Sequence, residues 1–536
     1  MKNISRCIVV QAFALLMVAS SSFAQLTIVV KMDPLYRSGG KVELSLSGFG
    51  DELTDFYGVF PDQNLVNKIT ICGKIGTADS TRKKLGLIQL NPDGSFNTSF
   101  GLGGKTIMNW GISDFPNTMY VSPIDNSVVL GGMNAASEVL AEHRPTLFKF
   151  DAFGKPDLSF GVGGHAIAQV DSVNGGYVTN VYPEDSSYLA CGAVMGPEHP
   201  VGFCAIKYNP HGILDSSFGK DGISIIPAQI GYSAGFLTTN DSIVFVAEEI
   251  TGGGISPKSA EIIIGKLDEK GKPVSSFGIN GILRTGVKFN PLLGSLRAAI
   301  QPNYNIVCSF PPIGISPLEP IHMTRFLPDG TVDTSFGTKG DVVINFTNGI
   351  SRANGITVAK NGKSTIAGSA LNALDQCAAA RLNVDGSPDI SFNLVGTTVI
   401  DVDSGAHANW LTKLIGIGNK RYYGVGTSVH NGIPNFMIVR FKDDTTFSRI
   451  GLVQDNDGVA AYPNPAVGHI SITSANALIK SVSLYDAIGR RVDATEMREN
   501  EKSTTLTLTQ LPAGMYHCVI ETSDGVETRK IIIGSR

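Results

Sequence analysis

A Ser-Phe pair returns six times along the chain at a nearly constant interval: Ser99-Phe100, Ser159-Phe160, Ser217-Phe218, Ser276-Phe277, Ser335-Phe336 and Ser391-Phe392. The steps between the phenylalanines are 60, 58, 59, 59 and 56 residues. Spacing and residue type held together over this length identify one supersecondary element copied in tandem, because unrelated loops share neither. Each copy of such an array buries its apolar faces only against its neighbours, so most of the 536 residues must fold as one body.

Aligned on the Phe, the copies read LNPDGSFNTSFGLGGKTI, FDAFGKPDLSFGVGGHAI, YNPHGILDSSFGKDGISI, LDEKGKPVSSFGINGILR, FLPDGTVDTSFGTKGDVV and LNVDGSPDISFNLVGTTV. The central glycine (Gly94, Gly154, Gly212, Gly271, Gly330, Gly386) suits the positive φ of a tight turn. Three residues later stands Asn97, Asp157, Asp215, Val274, Asp333 or Asp389, placed to accept the amide two residues on, and Val274 marks that bond as dispensable. Phe100, Phe160, Phe218, Phe277, Phe336 and Phe392 are each the one large apolar group of a polar turn. They are expected to plug the gap between neighbouring repeats, each contributing roughly 1.5–3 kcal/mol by burial. The competing reading, aromatic platforms for sugars, requires exposed rings.

Between the plugs lie short alternating runs such as NTMYVSPIDNSVVLGG and RPTLFKFD, bounded by Gly, Pro, Asn and Asp, which read as strands at about four per repeat. No copy carries a long i, i+3, i+4 apolar pattern, which argues against helical solenoids and βαβ barrels. The expected fold class is therefore all-β, a β-propeller. Seven strands ending near Gly (ITICGK, SVVLGG, YLACGA, IVFVAE, NIVCSF, STIAGS, RYYGVG) set the expected blade count at seven. Ser38 to Val42 matches the segment after a Phe plug, so a strand near Lys41 to Ser45 is expected to complete the blade begun by Phe441 to Ile450 and leave no open edge. These residues resemble the delta-60 repeat family of bacterial β-propellers over residues 28–447. The resemblance implies a fold and no general activity.

Glycine at 61 residues and charge at 17% suit a turn-rich β protein rather than a disordered one. A net charge of -4 without a basic cluster excludes nucleic acid as a partner. Lys2 and Arg6 precede an apolar stretch from Cys7 to Ser20, and Ser22-Phe23-Ala24 suits cleavage before Gln25. Residues 1–24 read as a signal peptide, removed by signal peptidase, and no later segment reads as a membrane span. Six cysteines follow it. Cys72, Cys191 and Cys308 share a repeat position with Leu130, which suits a buried hydrophobe, and Cys191 could face Cys204 across a hairpin as a disulfide.

After Ile450 the repeat vocabulary stops. Residues 448–458 read as a linker between a propeller at 25–447 and a C-terminal domain at 459–536. The segments YPNPAVGHISI, VSLYDAIGRRV, LTLTQLPAGMYHCVIE and TRKIIIGSR alternate as in a small immunoglobulin-like β-sandwich. Pro463-Asn464-Pro465, Tyr485-Asp486 with Gly489, Gly514 with Tyr516, and Lys530 resemble, in order, the type A C-terminal sorting domain of the type IX secretion system of Bacteroidetes. The resemblance implies the type IX machinery as partner and delivery to the medium or the outer cell surface.

Chemistry is sparse. Gly231-Tyr232-Ser233-Ala234-Gly235 matches a serine-nucleophile pattern but aligns with NGGYVTN and NGITVAK, so it reads as accidental. Nine histidines form no metal-ligand pair, and the Asp-Gly turns lack the oxygen ligands of a calcium loop. No catalytic residue, cofactor or metal is expected. The favoured reading is an exported binding or scaffold protein for a glycan or protein ligand. The alternative is a propeller enzyme (hydrolase, lyase or lactonase-like) gathering acid and base groups at a channel mouth.

Overall fold

The computed structural model describes residues 31–442 and 459–534 apart from short segments, chiefly 60–67, 136–142, 171–174, 196–199, 238–241, 252–258, 314–319, 403–407, 417–420, 487–490 and 493–500. The signal peptide and linker expected from the sequence, and Gly489, lie outside the described residues. The chain divides into two compact units, residues 1–445 and 446–536.

In the first unit, residues 52–108, 113–167, 175–227, 230–289, 297–344 and 350–400 each form a four-stranded antiparallel meander bonded in chain order. A seventh sheet joins Ala408–Gly416, Arg421–His430 and Ile433–Lys442 to the N-terminal strands Lys31–Met32 and Lys41–Leu44. Lys41–Leu44 pairs with Ile433–Lys442, from Lys41↔Val439 to Leu44↔Phe436, so its partner lies just upstream of the expected Phe441 to Ile450. The first strand of each sheet touches the first strand of the next, and that of the seventh returns to Glu52–Val59. This is the all-β arrangement of small radial sheets that defines a β-propeller.

The repeated turn joins one sheet to the next. The central glycines have φ between +75° and +86°, where a Cβ is strained. Asp157 accepts the Ser159 amide at 3.1 Å, and Asp215, Asp333 and Asp389 do the same for Ser217, Ser335 and Ser391. The following Phe is buried in all six repeats. Its ring lies on the central glycine of the next repeat: a Cβ on Gly154 would sit 2.6 Å from Phe100, and one on Gly271 2.7 Å from Phe218. The residue after the Phe adds a bond across the same joint, Gly101 N to Phe153 O at 2.7 Å and Gly161 N to His211 O at 2.7 Å. Phe392 has no such glycine ahead of it and packs edge-on against Tyr422 instead.

A cation caps Phe160, Phe277, Phe336 and Phe392, a feature that the aligned turns alone did not reveal. Arg325 stacks 4.7 Å over Phe336 and pairs with Asp333 at 2.7 Å; Arg381 stacks 5.1 Å over Phe392 and pairs with Asp389 at 2.6 Å. Lys149 does the same for Phe160 and Asp157. In the first repeat the acid is Asn97, and its partner is Gln89, with Asn97 Nδ2 donating to Gln89 Oε1 at 2.7 Å. Acid and base have changed together, which keeps the joint satisfied.

The seventh joint is split between the chain's two ends. Asp33 N donates to Arg440 O at 2.8 Å, and the Asp33 carboxylate pairs with Arg440 at 3.0 Å. Arg440 stacks 4.8 Å over Tyr36, whose ring would meet a Cβ on Gly94 at 2.9 Å. Asp33 and Tyr36 thus stand where the other repeats have the turn acid and the Phe, and the Tyr36 amide donates to Asp33 O at 3.0 Å as the Phe amides do in the other turns.

The glycines of the second strands have a separate cause. The first strand of most sheets carries a bulge, for example between Val178 and Asn180 and between Ala353 and Gly355. The bulge turns a carbonyl onto the second strand, where a Cβ on Gly192 would lie 1.9 Å from Tyr177 O and one on Gly368 1.8 Å from Arg352 O. The fifth sheet has a first strand of four residues paired without a slip, and Ser309 takes the glycine's place.

All six cysteines are free and buried. The disulfide considered from the sequence is excluded by register: Cys191 pairs Ala205 while Cys204 pairs Gly192, so adjacent rows send the two thiols to opposite faces.

The second unit links seven strands around one core that includes Ile470, Leu484, Tyr516, Cys518 and Ile531. Val459–Val467 pairs first with His469–Ser474, then at Ala466 with Ile533, the ladder breaking between Tyr462 and Val467. Pro463 and Pro465 lack the amides a continuous ladder needs, which explains the change of partner.

Phe160→Ala, at a fully buried plug, should cost about 3–5 kcal/mol in denaturant unfolding; a cost under about 1 kcal/mol would show that the joint does not depend on the ring. Burial raises the Asp389 pKa, but hydrogen bonds from Lys363 and Ser391 and the charge of Arg381 outweigh it and bring it down to about 2. The folded value lies below the ordinary carboxylate value of about 3.9, so the stabilisation is full above that value and fades as pH falls toward 2. The stability gap between the wild type and Asp389→Asn should therefore narrow between pH 4 and pH 2, and a constant gap would refute the assignment.

Candidate functional site

The histidines were the best sequence candidates for chemistry, and the fold keeps them apart. His143 lies against Phe115 and His165 against Trp110, both held below the ordinary imidazole pKa by burial. His407 lies outside the described residues. His430 Nε2 is 2.9 Å from Ser428 Oγ and 3.1 Å from Glu43 Oε1. A serine relay needs the hydroxyl on one ring nitrogen and the carboxylate on the other, whereas here one nitrogen meets both and Ser428 is fully buried. Gly231 to Gly235 lies within the strand Ile230–Leu237, not on a strand-to-helix turn. Among the described residues, no group of three or more His, Cys, Asp or Glu could hold a metal ion.

One cluster stands apart. His322 Nδ1 lies 2.8 Å from Asp341 Oδ2 at the edge of the fifth sheet. Both line an open cavity of about 300 Å3 with Thr324, Phe310, Val332, Lys339 and Gly340 of that sheet and its turn, and Val287 and Lys288 of the fourth sheet. His322 and Thr324 are two apart on one strand and so share a face, and Thr324 sits directly across from Asp341.

The cavity arises where the repeat is irregular. The outer strand of the fourth sheet, Ile282–Phe289, has eight residues, against three to five for the outer strands of the first, second, third, fifth and sixth sheets. A slip between Glu261 and Ile263 lets it continue, with Gly286 at φ +76° and its amide bonded to Glu261 Oε1 at 2.8 Å. Val287 and Lys288 belong to this extension.

The second unit gathers several of the residues singled out in its sequence. Asn464, exposed between the two prolines, donates from Nδ2 to Lys530 O at 2.7 Å and accepts the Ile532 amide at 2.8 Å. Its side chain therefore stands in for the strand that the prolines interrupt. Gly514 pairs with Ile533 on the same last strand, and the Tyr516 hydroxyl donates to Pro512 O at 2.9 Å. Tyr485 and Asp486 lie elsewhere, where Tyr485 pairs with His517 and Arg491.

Residues 460–534 match the family described as Secretion system C-terminal sorting domain, and residues 67–100 match Domain of unknown function (DUF5122) beta-propeller. The chain is a β-propeller protein with a secretion-sorting tail. Such a tail directs a protein through the type IX system to the cell surface or the extracellular space. No curated protein matches the chain. Among solved structures, puromycin hydrolase is similar at 12% identity and a TM-score of 0.39, over 87% of this chain and 60% of its own. A protein of unknown function from Dyadobacter fermentans is similar at 11% and 0.38, over 76% and 100%. An α-L-arabinofuranosidase from Fusarium graminearum is similar at 9% and 0.38, over 64% and 98%. The chain thus spans 60% of the length of the hydrolase.

Asn464→Ala removes both bonds to the last strand and should cost the second unit about 1–2 kcal/mol. Hydrogen exchange at Ile532 should quicken; protection unchanged there would show that the prolines alone hold the strand.

Proposed function

We propose that the chain is a seven-bladed propeller closed by its own N-terminal segment, followed by an immunoglobulin-like sorting sandwich, and that it serves outside the cell as a binding or scaffold protein. The proposed boundaries are a signal peptide at 1–24, the propeller at 25–447, a linker at 448–458 and the sorting domain at 459–536. The successive contacts of the seven first strands support the blade count. The Asn464 clamp supports Pro463, Asn464, Pro465 and Lys530 as one sorting surface, with Gly514 and Tyr516 on the strand beside it. Tyr485, Asp486 and Gly489 complete the set of sorting residues proposed from the sequence.

The observation that carries the binding reading is the cavity between the fourth and fifth sheets, an opening at the lower end of the size range of small-molecule pockets, with one apolar wall and a few convergent polar groups. The ligand class proposed is a glycan or protein displaying such a group. The His322–Asp341 pair favours an enzymatic alternative, a hydrolase, lyase or lactonase-like protein, because an imidazole held by a carboxylate is a competent base. That alternative needs turnover, whereas the binding reading needs only saturation.

Fractionation of the native host comparing the full chain with one ending at Asp457 tests the export reading. Surface or medium residence lost on truncation is expected, and periplasmic retention of both forms would overturn it.

A further inference from the structure

We propose that the cavity between the fourth and fifth sheets is a subsite for a hydroxylated ring bearing a single carboxylate, the chemistry of a uronic acid. The inference rests on the binding reading and adds the ligand class. Lys288 and Lys339 both line the cavity, and among the described residues neither forms an ion pair. Asp341 is already engaged by His322. Whatever the charge of the paired imidazole, Lys288 and Lys339 leave the cavity with an excess of positive charge, which a carboxylate offsets and a neutral sugar does not. An ammonium is a point charge that accepts a carboxylate from several directions, which suits a site open to solvent.

The rest of the lining fits a hydroxylated ring better than a bare acid. Thr324 lines the cavity, and its hydroxyl bonds no protein group among the described residues, leaving a donor and an acceptor for a ligand hydroxyl. Asp341 keeps a second carboxylate oxygen free to accept another hydroxyl, since only Oδ2 meets His322. Phe310, Val287 and Val332 provide an apolar wall against which the C–H face of a ring can lie. Phe310 is stacked on His322 at 6.2 Å, which fixes the wall and the polar pair relative to each other.

The same chemistry can come from a free acidic monosaccharide or from a uronic acid residue within a polysaccharide. Calorimetry on the full chain with D-glucuronate, an oligoglucuronate, D-glucose and succinate separates the cases. The expected result is saturable binding of glucuronate with a Kd of about 1 mM or tighter, at least about tenfold weaker binding of glucose and succinate, and at least about a tenfold loss in Lys288→Ser/Lys339→Ser with an unchanged melting temperature. Tighter binding of the oligomer than of the monomer assigns the subsite to a polymer, and equal binding assigns it to the free sugar. Glucose binding as well as glucuronate, or the double variant binding like the wild type, overturns the subsite while leaving the wider binding reading intact. Saturation by none of the four probes overturns the subsite as well. Thr324→Val, which keeps the volume and removes the hydroxyl, should weaken glucuronate more than succinate, and an equal effect on both would remove the case for the ring.

Discussion

The first unit depends on an aromatic ring of one repeat resting on a bare glycine of the next, a contact made at every joint except that of Phe392. A strand array of this kind has little else between its sheets at the turn end. The ring must therefore be large enough to fill the gap, and the residue beneath it must have no side chain. Gly154 and Phe100 meet this way, as do Gly271 and Phe218. The ring is also capped from above by a cation, whose charge is in turn held by the turn's own carboxylate. One joint thus combines burial, a cation–π contact and a short-range ion pair, and the three demands fix residue types at three positions of the repeat.

This coupling explains why so much of the fold was legible. The Ser-Phe spacing, the central glycines and the Asp at the turn could be read from six copies laid side by side, because each meets a backbone or packing need that other residues meet poorly. The capping cation was equally present in the sequence, at Lys149, Lys266, Arg325, Arg381 and Arg440, but it stands apart from the turn and means nothing until the strand folds back over the ring. Tyr36 was missed for a different reason. Its copy of the turn is cut by the chain ends, so the acid and the ring come from the N-terminus and the cation from residue 440. The second-strand glycines could be seen in the sequence but for no stated cause. That cause, a carbonyl pressed onto the strand by a bulge, belongs to backbone geometry that a sequence pattern does not display.

The split seventh joint also sets a requirement on the order of folding. Asp33, Tyr36 and the strand Lys41–Leu44 all lie near the start of the chain, yet they complete a sheet whose other strands end at Lys442. Closure of the array must wait for residues about four hundred positions downstream. Until then Lys31–Met32 and Lys41–Leu44 have no strand to pair with, a state prone to association with other chains.

The candidate cavity was not legible at all, and the reason is instructive about repeats. A tandem array places equivalent residues at every joint, so a unique site requires that the symmetry be broken somewhere. Four departures from the pattern fall at one boundary. Val274 replaces the turn acid in the fourth repeat, Ile282–Phe289 is extended by a slip, Arg297–Ile300 is cut short without a bulge, and Ser309 replaces the glycine. The extension is held within the fourth sheet by the Gly286 amide on Glu261 and by the Arg284–Glu249 ion pair. Residues that break a local rule in an otherwise consistent sequence concentrate where function makes its own demands. The cavity with His322, Asp341, Lys288 and Lys339 opens at that boundary. The irregularities that obscured the repeat in the sequence are, on this argument, the means by which this boundary came to hold a cavity.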